Sequence, residues 1–156
     1  MTENTMSLRE QIPQDIKDAL RSKNSLELSV LRMLEAAIKN KEIDNNKQAL
    51  TDEQIIGVIT TEVKKRRDAA AEFEKVNRQE AADAEKKEIE VLMKYMPAQM
   101  SEDEIRAEVL KAVGESGAAG IKDLGKVMKL IIPAVKGKAD GALVNSIVRE
   151  ELDKLG

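Results

Sequence analysis

The chain contains no cysteine, histidine or tryptophan among its 156 residues. The missing thiol and imidazole groups exclude a cysteine nucleophile, a disulfide framework, the common zinc sites and the commonest general base. We therefore expect no bound metal and no cofactor, and the absence of cysteine and of a secretory pattern leads us to expect a cytoplasmic protein. Residues 1–5 are polar, and because Met6 stands where a second start would serve, we expect them to be a dispensable extension.

Aromatic side chains and long apolar runs are also scarce. Phe73 and Tyr95 are the only aromatic residues, so the core has to be aliphatic, and a platform for stacking single-stranded bases is excluded. No apolar stretch approaches the ~18 residues typical of a membrane-spanning helix, so we expect no membrane partner. A composition of 42% hydrophobic and 35% charged residues is typical of a soluble globular chain.

Helical periodicity is the main positive signal in the sequence. Apolar side chains recur at three- and four-residue spacing along most of the chain, which is typical of amphipathic helices. Residues that favour the N-cap position precede these runs, and a glutamate or glutamine three residues later predicts a capping box in several of them. The predicted capping boxes begin at Ser7, Thr51 and Ser101, and the other predicted caps are Ser25 and Asp140.

Prolines and glycines divide the helical pattern. Pro13 and Pro133 lack the amide hydrogen, so we expect the first helical turn to be separate or kinked at Pro13 and the sixth helix to stop or kink at Pro133. The stretch from Gly114 to Gly120 predicts a flexible connection, and residues 97–100 predict a linker. The sequence therefore predicts an all-α protein, with a four-helix N-terminal unit over 1–97 and a smaller three-helix C-terminal unit over 101–156.

A lysine-rich segment joins the last two predicted helices. From Lys122 to Lys138 there are five lysines and one acid, Asp123, in a chain of net charge −3. Clustered lysines are the electrostatic footprint of nucleic-acid contact, and the alternative is a solvated basic rim. Because Asp140 would occupy the amides of the last helix, contact with RNA falls to lysine side chains and to loop amides around Gly137. The candidate RNA-binding residues are Lys122, Lys126, Lys129, Lys136, Gly137 and Lys138.

A second basic run occupies positions 64–67. Four consecutive residues of a helix point in four directions, so this run cannot form one surface. Arg66 falls among apolar positions, and we expect it at the bundle seam with its head paired to Glu62; the alternative is direct contact with RNA. The secondary basic candidates are Lys64, Lys65 and Arg67.

No catalytic group is assigned. The chain lacks a phosphate-binding loop and a serine-hydrolase elbow. Acidic residues crowd the fourth predicted helix without a companion histidine, and we expect a solvated helix face rather than an acid–base site. These acids are Glu80, Asp83, Glu85, Glu88 and Glu90.

Several longer segments resemble the YqeY-like family. They are EVKKRRDAAAEFEKVNRQ, YMPAQMSEDEI and the run GKVMKLIIPAVKGKADG followed by ALVNSIVREEL. The resemblance covers nearly the whole chain. The pieces GKVM and KGKAD also resemble the helical tail of the B subunit of the tRNA-dependent aspartyl/glutamyl amidotransferase. In that enzyme the tail contacts the tRNA body while another domain carries out the chemistry. The resemblance makes Lys126, Lys136 and Lys138 the first candidates for RNA contact.

Three functions follow as expectations. The leading one is a non-catalytic helical module that binds tRNA or other structured RNA, alone or beside a larger enzyme. The resemblance also implies a component of a glutamine-dependent carbon–nitrogen ligase, and we do not expect activity in isolation because the chain lacks a thiol and a phosphate loop. The third is a protein-interaction adaptor. Expected protein partners are an amidotransferase or another translation-related protein.

Overall fold

The computed structural model describes residues 6–156. Over these residues there are seven α-helices, one 3₁₀ helix and no strand, so the predicted all-α class is confirmed. The helices belong to two units, one ending at Met96 and the other beginning at Pro97. The predicted domains 1–97 and 101–156 stay a prediction, and the expectation for residues 1–5 lies outside the described residues.

Four helices make up the N-terminal unit. A turn with Lys23 at φ 58° joins the first pair, and a turn with Asn77 at φ 59° joins the second pair. Asparagine tolerates this left-handed conformation better than most residues, which explains the helix break there. The four helices are α1 (Leu8–Arg21), α2 (Ser25–Asp44), α3 (Asp52–Lys75) and α4 (Gln79–Met93).

The N-terminal helices begin at polar caps and bury an aliphatic core. The capping box at Thr51 is complete, with Gln54 bonded in both directions. Asn24, not the predicted Ser25, caps α2, because its side-chain oxygen reaches the Glu27 amide at 3.1 Å. The largest fully buried side chains of this core are Ile12, Leu31, Leu34, Ile55, Ile59 and Leu92.

Helix α1 continues through Pro13, so its first turn is not a separate element. Pro13 is exposed, so the Arg9 carbonyl that loses its amide partner lies on the solvent side. Tertiary contacts also fix the first turn, since the Leu8 amide donates to the Asp52 carboxylate at 3.0 Å and Arg9 pairs with Glu42. These contacts hold the helix on the N-terminal side of the proline.

A buried arginine joins three helices of this unit. The Arg66 residue is only 6% exposed, and its Nε donates to the Glu88 carboxylate on α4 at 3.2 Å. Its Nη1 donates to the backbone carbonyl of Glu62 at 3.1 Å, and its Nη2 lies 3.8 Å from the sulfur of Met33 on α2. The expected seam position is confirmed, but the carboxylate partner is Glu88 and not Glu62. One acid of the fourth helix is therefore structural rather than simply solvated.

Tyr95 connects the end of this unit to its beginning. It follows α4, is buried, and donates its hydroxyl hydrogen to Asp15 of α1 at 2.6 Å. Burial raises the pKa of the Tyr95 hydroxyl, and the bond to the Asp15 carboxylate raises it further. The phenol therefore remains a hydrogen-bond donor throughout the neutral range.

Three helices and a short 3₁₀ turn form the C-terminal unit. The Met100 amide, at the start of the first helix, donates to the Lys138 carbonyl just before the last one at 2.8 Å. Gly156, after the last helix, lies against Ala119 and Gly120, which follow the first. The first and last helices therefore run in the same direction, with the middle one antiparallel to both. The elements are α5 (Glu102–Ser116), the 3₁₀ turn Ile121–Asp123, α6 (Leu124–Val135) and α7 (Gly141–Asp153).

An aliphatic core fills the C-terminal unit as well. The capping box at Ser101 is complete. Fully buried side chains come from all three helices, and no aromatic residue belongs to this unit. They include Ile105, Val109, Val127, Ile131, Ile147 and Leu152.

The stretch expected to be a flexible connection is instead a defined helix end. Gly117 has φ 69°, and its amide donates to the Gly114 carbonyl at 3.4 Å. The Ala118 amide donates to the Val113 carbonyl at 3.4 Å, which completes a Schellman motif. Glycine serves at this position because a left-handed conformation costs it little.

Pro133 does not end α6, which continues to Val135. The proline is exposed on the outer face, so the unpaired Lys129 carbonyl is open to water. Val135 is buried in the core, and its packing holds the last turn of the helix.

Arg106 joins α5 to α7. Its two terminal nitrogens lie 2.6 Å from Glu151 and 2.8 Å from Glu150, and Lys154 donates to Glu151 at 2.9 Å. Hydrogen bonds from Lys154 and then Arg106 hold the pKa of the Glu151 carboxyl below its ordinary value, although burial opposes this. The bonds to Glu150 and Glu151 raise the pKa of Arg106. The cluster favours the charged forms of both partners.

The residues described contain no helix that is both long enough and apolar enough to cross a membrane.

Replacing Arg66 tests the seam of the N-terminal unit. Arg66→Ala should lower the free energy of unfolding by about 3 kcal/mol, because it leaves the Glu88 carboxylate without its buried partner. Lys64→Ala is the control, since Lys64 forms an exposed pair with Asp68 and should cost at most about 0.5 kcal/mol. Urea unfolding of both variants measures the difference, and equal small losses would show that Arg66 is an ordinary surface residue.

The Arg106 cluster should make stability depend on pH. The folded-state pKa of Glu151 is depressed, so its contribution is complete above the ordinary value near 4.5 and is lost as the pH falls below it. Glu151→Gln should therefore destabilise the protein above pH 4.5, with a penalty that shrinks on acidification. Urea unfolding between about pH 3 and pH 7 measures this, with exposed Glu115→Gln as the control. A penalty independent of pH would contradict the charge-based role.

Candidate nucleic-acid interface

The lysine surface consists of the exposed side chains Lys122, Lys126, Lys129, Lys136 and Lys138. Val127 and Ile131 turn α6 toward the core, which leaves Lys126 and Lys129 together on the opposite face because they are three residues apart. Lys122 precedes this face on the 3₁₀ turn. The structure thus places two of the candidates on the outer face of α6 and a third on the 3₁₀ turn before it.

A tight turn carries the other two lysines. Lys136 has φ −56° and ψ 123°, Gly137 has φ 75°, and the Lys138 amide donates to the Val135 carbonyl at 2.9 Å. These are the angles and the hydrogen bond of a type II β-turn, which requires a positive φ at its third residue. Gly137 is buried and serves the backbone, while Lys136 and Lys138 on either side are exposed.

The two amides that follow Gly137 are already engaged. The Lys138 and Ala139 amides both donate to the Val135 carbonyl, at 2.9 and 3.1 Å. From the sequence we expected loop amides around Gly137 to contact a phosphate. In the structure two of these amides are bonded to the Val135 carbonyl, and the lysine side chains are exposed donors.

The acids nearest in sequence to these lysines, Asp123 and Asp140, accept hydrogen bonds from backbone amides. The Asp123 carboxylate accepts from the Ala119 amide at 2.8 Å, and the Asp140 carboxylate accepts from the Ala142 amide at 3.3 Å. The predicted cap at Asp140 is thereby confirmed. Carboxylates of this unit that form ion pairs, such as Glu150 and Glu151, are bonded to Arg106 and Lys154 instead of the lysine surface. The segment 122–140 contains five lysines and two acids, so positive charge is concentrated here although the chain is acidic.

The secondary basic candidates lie on α3 and form no comparable surface. Lys64 pairs with Asp68 at 3.0 Å, and Lys65 pairs with Glu62 at 3.4 Å. Arg67 is exposed. Their neighbours on the same helix compensate the charges of the two lysines, so α3 offers less positive potential than α6.

A family comparison agrees with the motifs quoted from the sequence. Residues 9–152 match the family described as Yqey-like protein. The chain belongs to the YqeY-like family. The match includes both units and the whole lysine surface, and it assigns no role to any residue.

Several fungal proteins are similar to this YqeY-like chain, and each is named "Altered inheritance of mitochondria protein 41, mitochondrial". The one from Clavispora lusitaniae is 34% identical over 103 residues, which is 65% of this chain and 59% of the relative. The one from Kluyveromyces lactis is 32% identical over 102 residues, 64% of this chain and 55% of the relative. The alignment thus spans less than two thirds of the length of either protein. A longer match, with Pyrenophora tritici-repentis, is 29% identical over 140 residues and covers 87% of this chain and 76% of the relative.

The expectation of a cytoplasmic location is wrong when set against these relatives, because their names call them mitochondrial. That expectation rested on the absence of cysteine and of a secretory pattern. Neither feature distinguishes the cytoplasm from a mitochondrial compartment.

Sequence reasoning missed one polar contact to the turn. Gln99, in the linker segment 97–100, donates to the carbonyl of Gly137 at 3.0 Å. The two residues are 38 positions apart, and helical periodicity carries no information about such a bond. The sequence did carry a signal for the turn itself, namely Gly137, because a type II turn favours glycine as its third residue.

A glycine exchange tests the turn geometry. Gly137→Ala should lower the free energy of unfolding by about 1–2 kcal/mol, because a side chain is disfavoured in the left-handed conformation at φ 75°. Gly125→Ala is the control: Gly125 lies within α6 with open space around it, so alanine there should stabilise the helix by about 0.5–1 kcal/mol. Opposite signs in urea unfolding are expected, and a neutral Gly137→Ala would contradict the turn assignment.

Proposed function

We propose that this YqeY-like chain is a non-catalytic helical module that binds tRNA or another structured RNA through its lysine surface. The observation that carries the proposal is a set of five exposed ammonium groups between residues 122 and 138, a segment that contains one acid, Asp123. Such a surface attracts phosphate groups. The resemblance of GKVM and KGKAD to a tRNA-contacting tail supports the same function.

The kind of RNA follows from the side chains available. The C-terminal unit has no aromatic residue on which an unpaired base could stack. Lysine is a flexible point charge that contacts phosphates without reading base edges. Recognition would therefore depend on the arrangement of backbone phosphates, which is defined in a folded RNA and variable in a single strand.

Catalysis in isolation is not part of the proposal. Amide transfer to an aminoacyl-tRNA needs a source of ammonia and activation of a carboxyl group. This chain has no cysteine and no phosphate-binding loop for either step. Association with a glutamine-dependent carbon–nitrogen ligase would place the chain beside a subunit that supplies the chemistry.

Changing three lysines tests RNA binding. Lys126, Lys136 and Lys138 replaced together by alanine should weaken tRNA binding at least about tenfold and make the slope of log affinity against log salt shallower by about 2 to 3, taking the duplex DNA value of 0.9 per phosphate as the guide. Fluorescence anisotropy over a range of potassium chloride concentrations measures both quantities. Circular dichroism should report an unchanged fold, because these side chains are exposed.

A charge-matched control separates the lysine surface from net charge. Lys39, Lys64 and Lys75 are exposed on the N-terminal unit, and replacing all three by alanine changes the net charge equally. This variant should retain most of the affinity and the salt slope. Equal losses in the two triple variants would overturn the proposed site, and amide transfer by the purified chain alone would overturn the non-catalytic role.

A further inference from the structure

The linker segment 97–100 is hydrogen-bonded to the turn that carries Lys136 and Lys138. The Gln99 side-chain amide donates to the Gly137 carbonyl at 3.0 Å, and the adjacent Met100 backbone amide donates to the Lys138 carbonyl at 2.8 Å. Two consecutive linker residues thus bond two consecutive carbonyls of the turn. Each bond fixes a peptide group that lies between, or next to, the exposed lysines.

The chemistry of the contact determines how Gln99 is oriented. Its nitrogen Nε2 lies 2.8 Å from the Pro97 carbonyl and 3.0 Å from the Gly137 carbonyl. Both neighbours are acceptors, so only the NH₂ end of the side-chain amide can face them. Glutamate in its place would present oxygen to oxygen, and an apolar side chain would leave both carbonyls without this donor.

The turn has few hydrogen bonds of its own, so a bond from a residue outside the turn can stabilise its conformation. A type II turn is closed by one backbone hydrogen bond, here from Lys138 to Val135, and it rotates the central peptide relative to the type I form. The Gly137 carbonyl belongs to the next peptide, which also carries the Lys138 amide of that hydrogen bond, so holding this carbonyl from the linker side restrains the peptide that closes the turn. The direction in which Lys136 and Lys138 leave the backbone is then set in the free protein, so less conformational entropy is lost on binding.

We infer that Gln99 is a positioning residue for the lysine surface: it holds the turn in the conformation that presents Lys136 and Lys138 to adjacent phosphates of a folded RNA. The inference rests on the proposed function for the ligand, but the support of the turn by Gln99 is measurable without RNA. Gln99 itself is expected to make no contact with phosphate.

Gln99→Met tests the support directly, since methionine has a similar length and removes the amide donor. In the RNA-free protein, hydrogen exchange at the Lys138 and Met100 amides should accelerate about threefold to tenfold, the factor expected for one lost neutral hydrogen bond. Gln48→Met, at an exposed loop position of the N-terminal unit, is the matched control and should leave both amides unchanged. Unchanged exchange in Gln99→Met would overturn the inference without touching the proposed function.

A double-mutant cycle tests the link to binding. Gln99→Met should weaken tRNA affinity about threefold to tenfold in the wild-type background and less than twofold when Lys136 and Lys138 are already alanine. In a background with Lys126 and Lys129 replaced, the full effect should remain, a pattern that general destabilisation would not produce. An equal loss of affinity in the wild-type background and in the background without Lys136 and Lys138 would overturn the role of Gln99 and leave the proposed function standing. Absence of RNA binding by the wild-type protein would overturn the proposed function and, with it, the positioning role.

Discussion

The packing of the N-terminal unit depends on the contacts of one buried guanidinium group, that of Arg66. Arg66 bonds the Glu88 carboxylate of α4, a backbone carbonyl of its own helix and the sulfur of Met33 on α2. A buried cation without such partners costs several kcal/mol, so helix packings that separate α3 from α4 are strongly disfavoured. Aliphatic side chains can pack against one another in several arrangements. The contacts of Arg66 favour the arrangement in which α3 lies against α4 and α2.

The two kinds of cation in this chain have different tasks. The planar fork of arginine reaches several oxygens at once, and Arg106 uses it to join Glu150 and Glu151 on α7 to α5. Lysine side chains of α6 and the following turn are exposed and are not needed for helix packing. The unit is thus held together by Arg106 and its core, which leaves the lysine surface available to a ligand.

Local signals predicted the helices well, whereas contacts distant in sequence were missed. The all-α class and the caps at Thr51 and Ser101 were predictable because each depends on residues within one helical turn. The position of Arg66 followed from periodicity, but its partner Glu88 is 22 residues away and belongs to another helix. The continuation of α6 past Pro133 was not predictable for a related reason. Whether a helix continues past a proline depends on whether the carbonyl that loses its amide partner meets solvent, which only the packed structure defines. The lysine-rich segment was found from composition, whereas the hydrogen bond from Gln99 to the turn was not.

The parallel course of α5 and α7 has a mechanical consequence. Met100 lies beside the start of α7, whereas Gly156 lies beside the residues that follow α5, so the two ends of the C-terminal unit are separated by about one helix length, roughly 22 Å for the 15 residues of α5. A pulling force between those ends would act along the helix axes and slide α5 and α7 past the antiparallel α6. Sliding breaks many side-chain contacts at the same moment, whereas peeling would break them one after another. Tension along the length of the C-terminal unit would therefore act on its helices in shear.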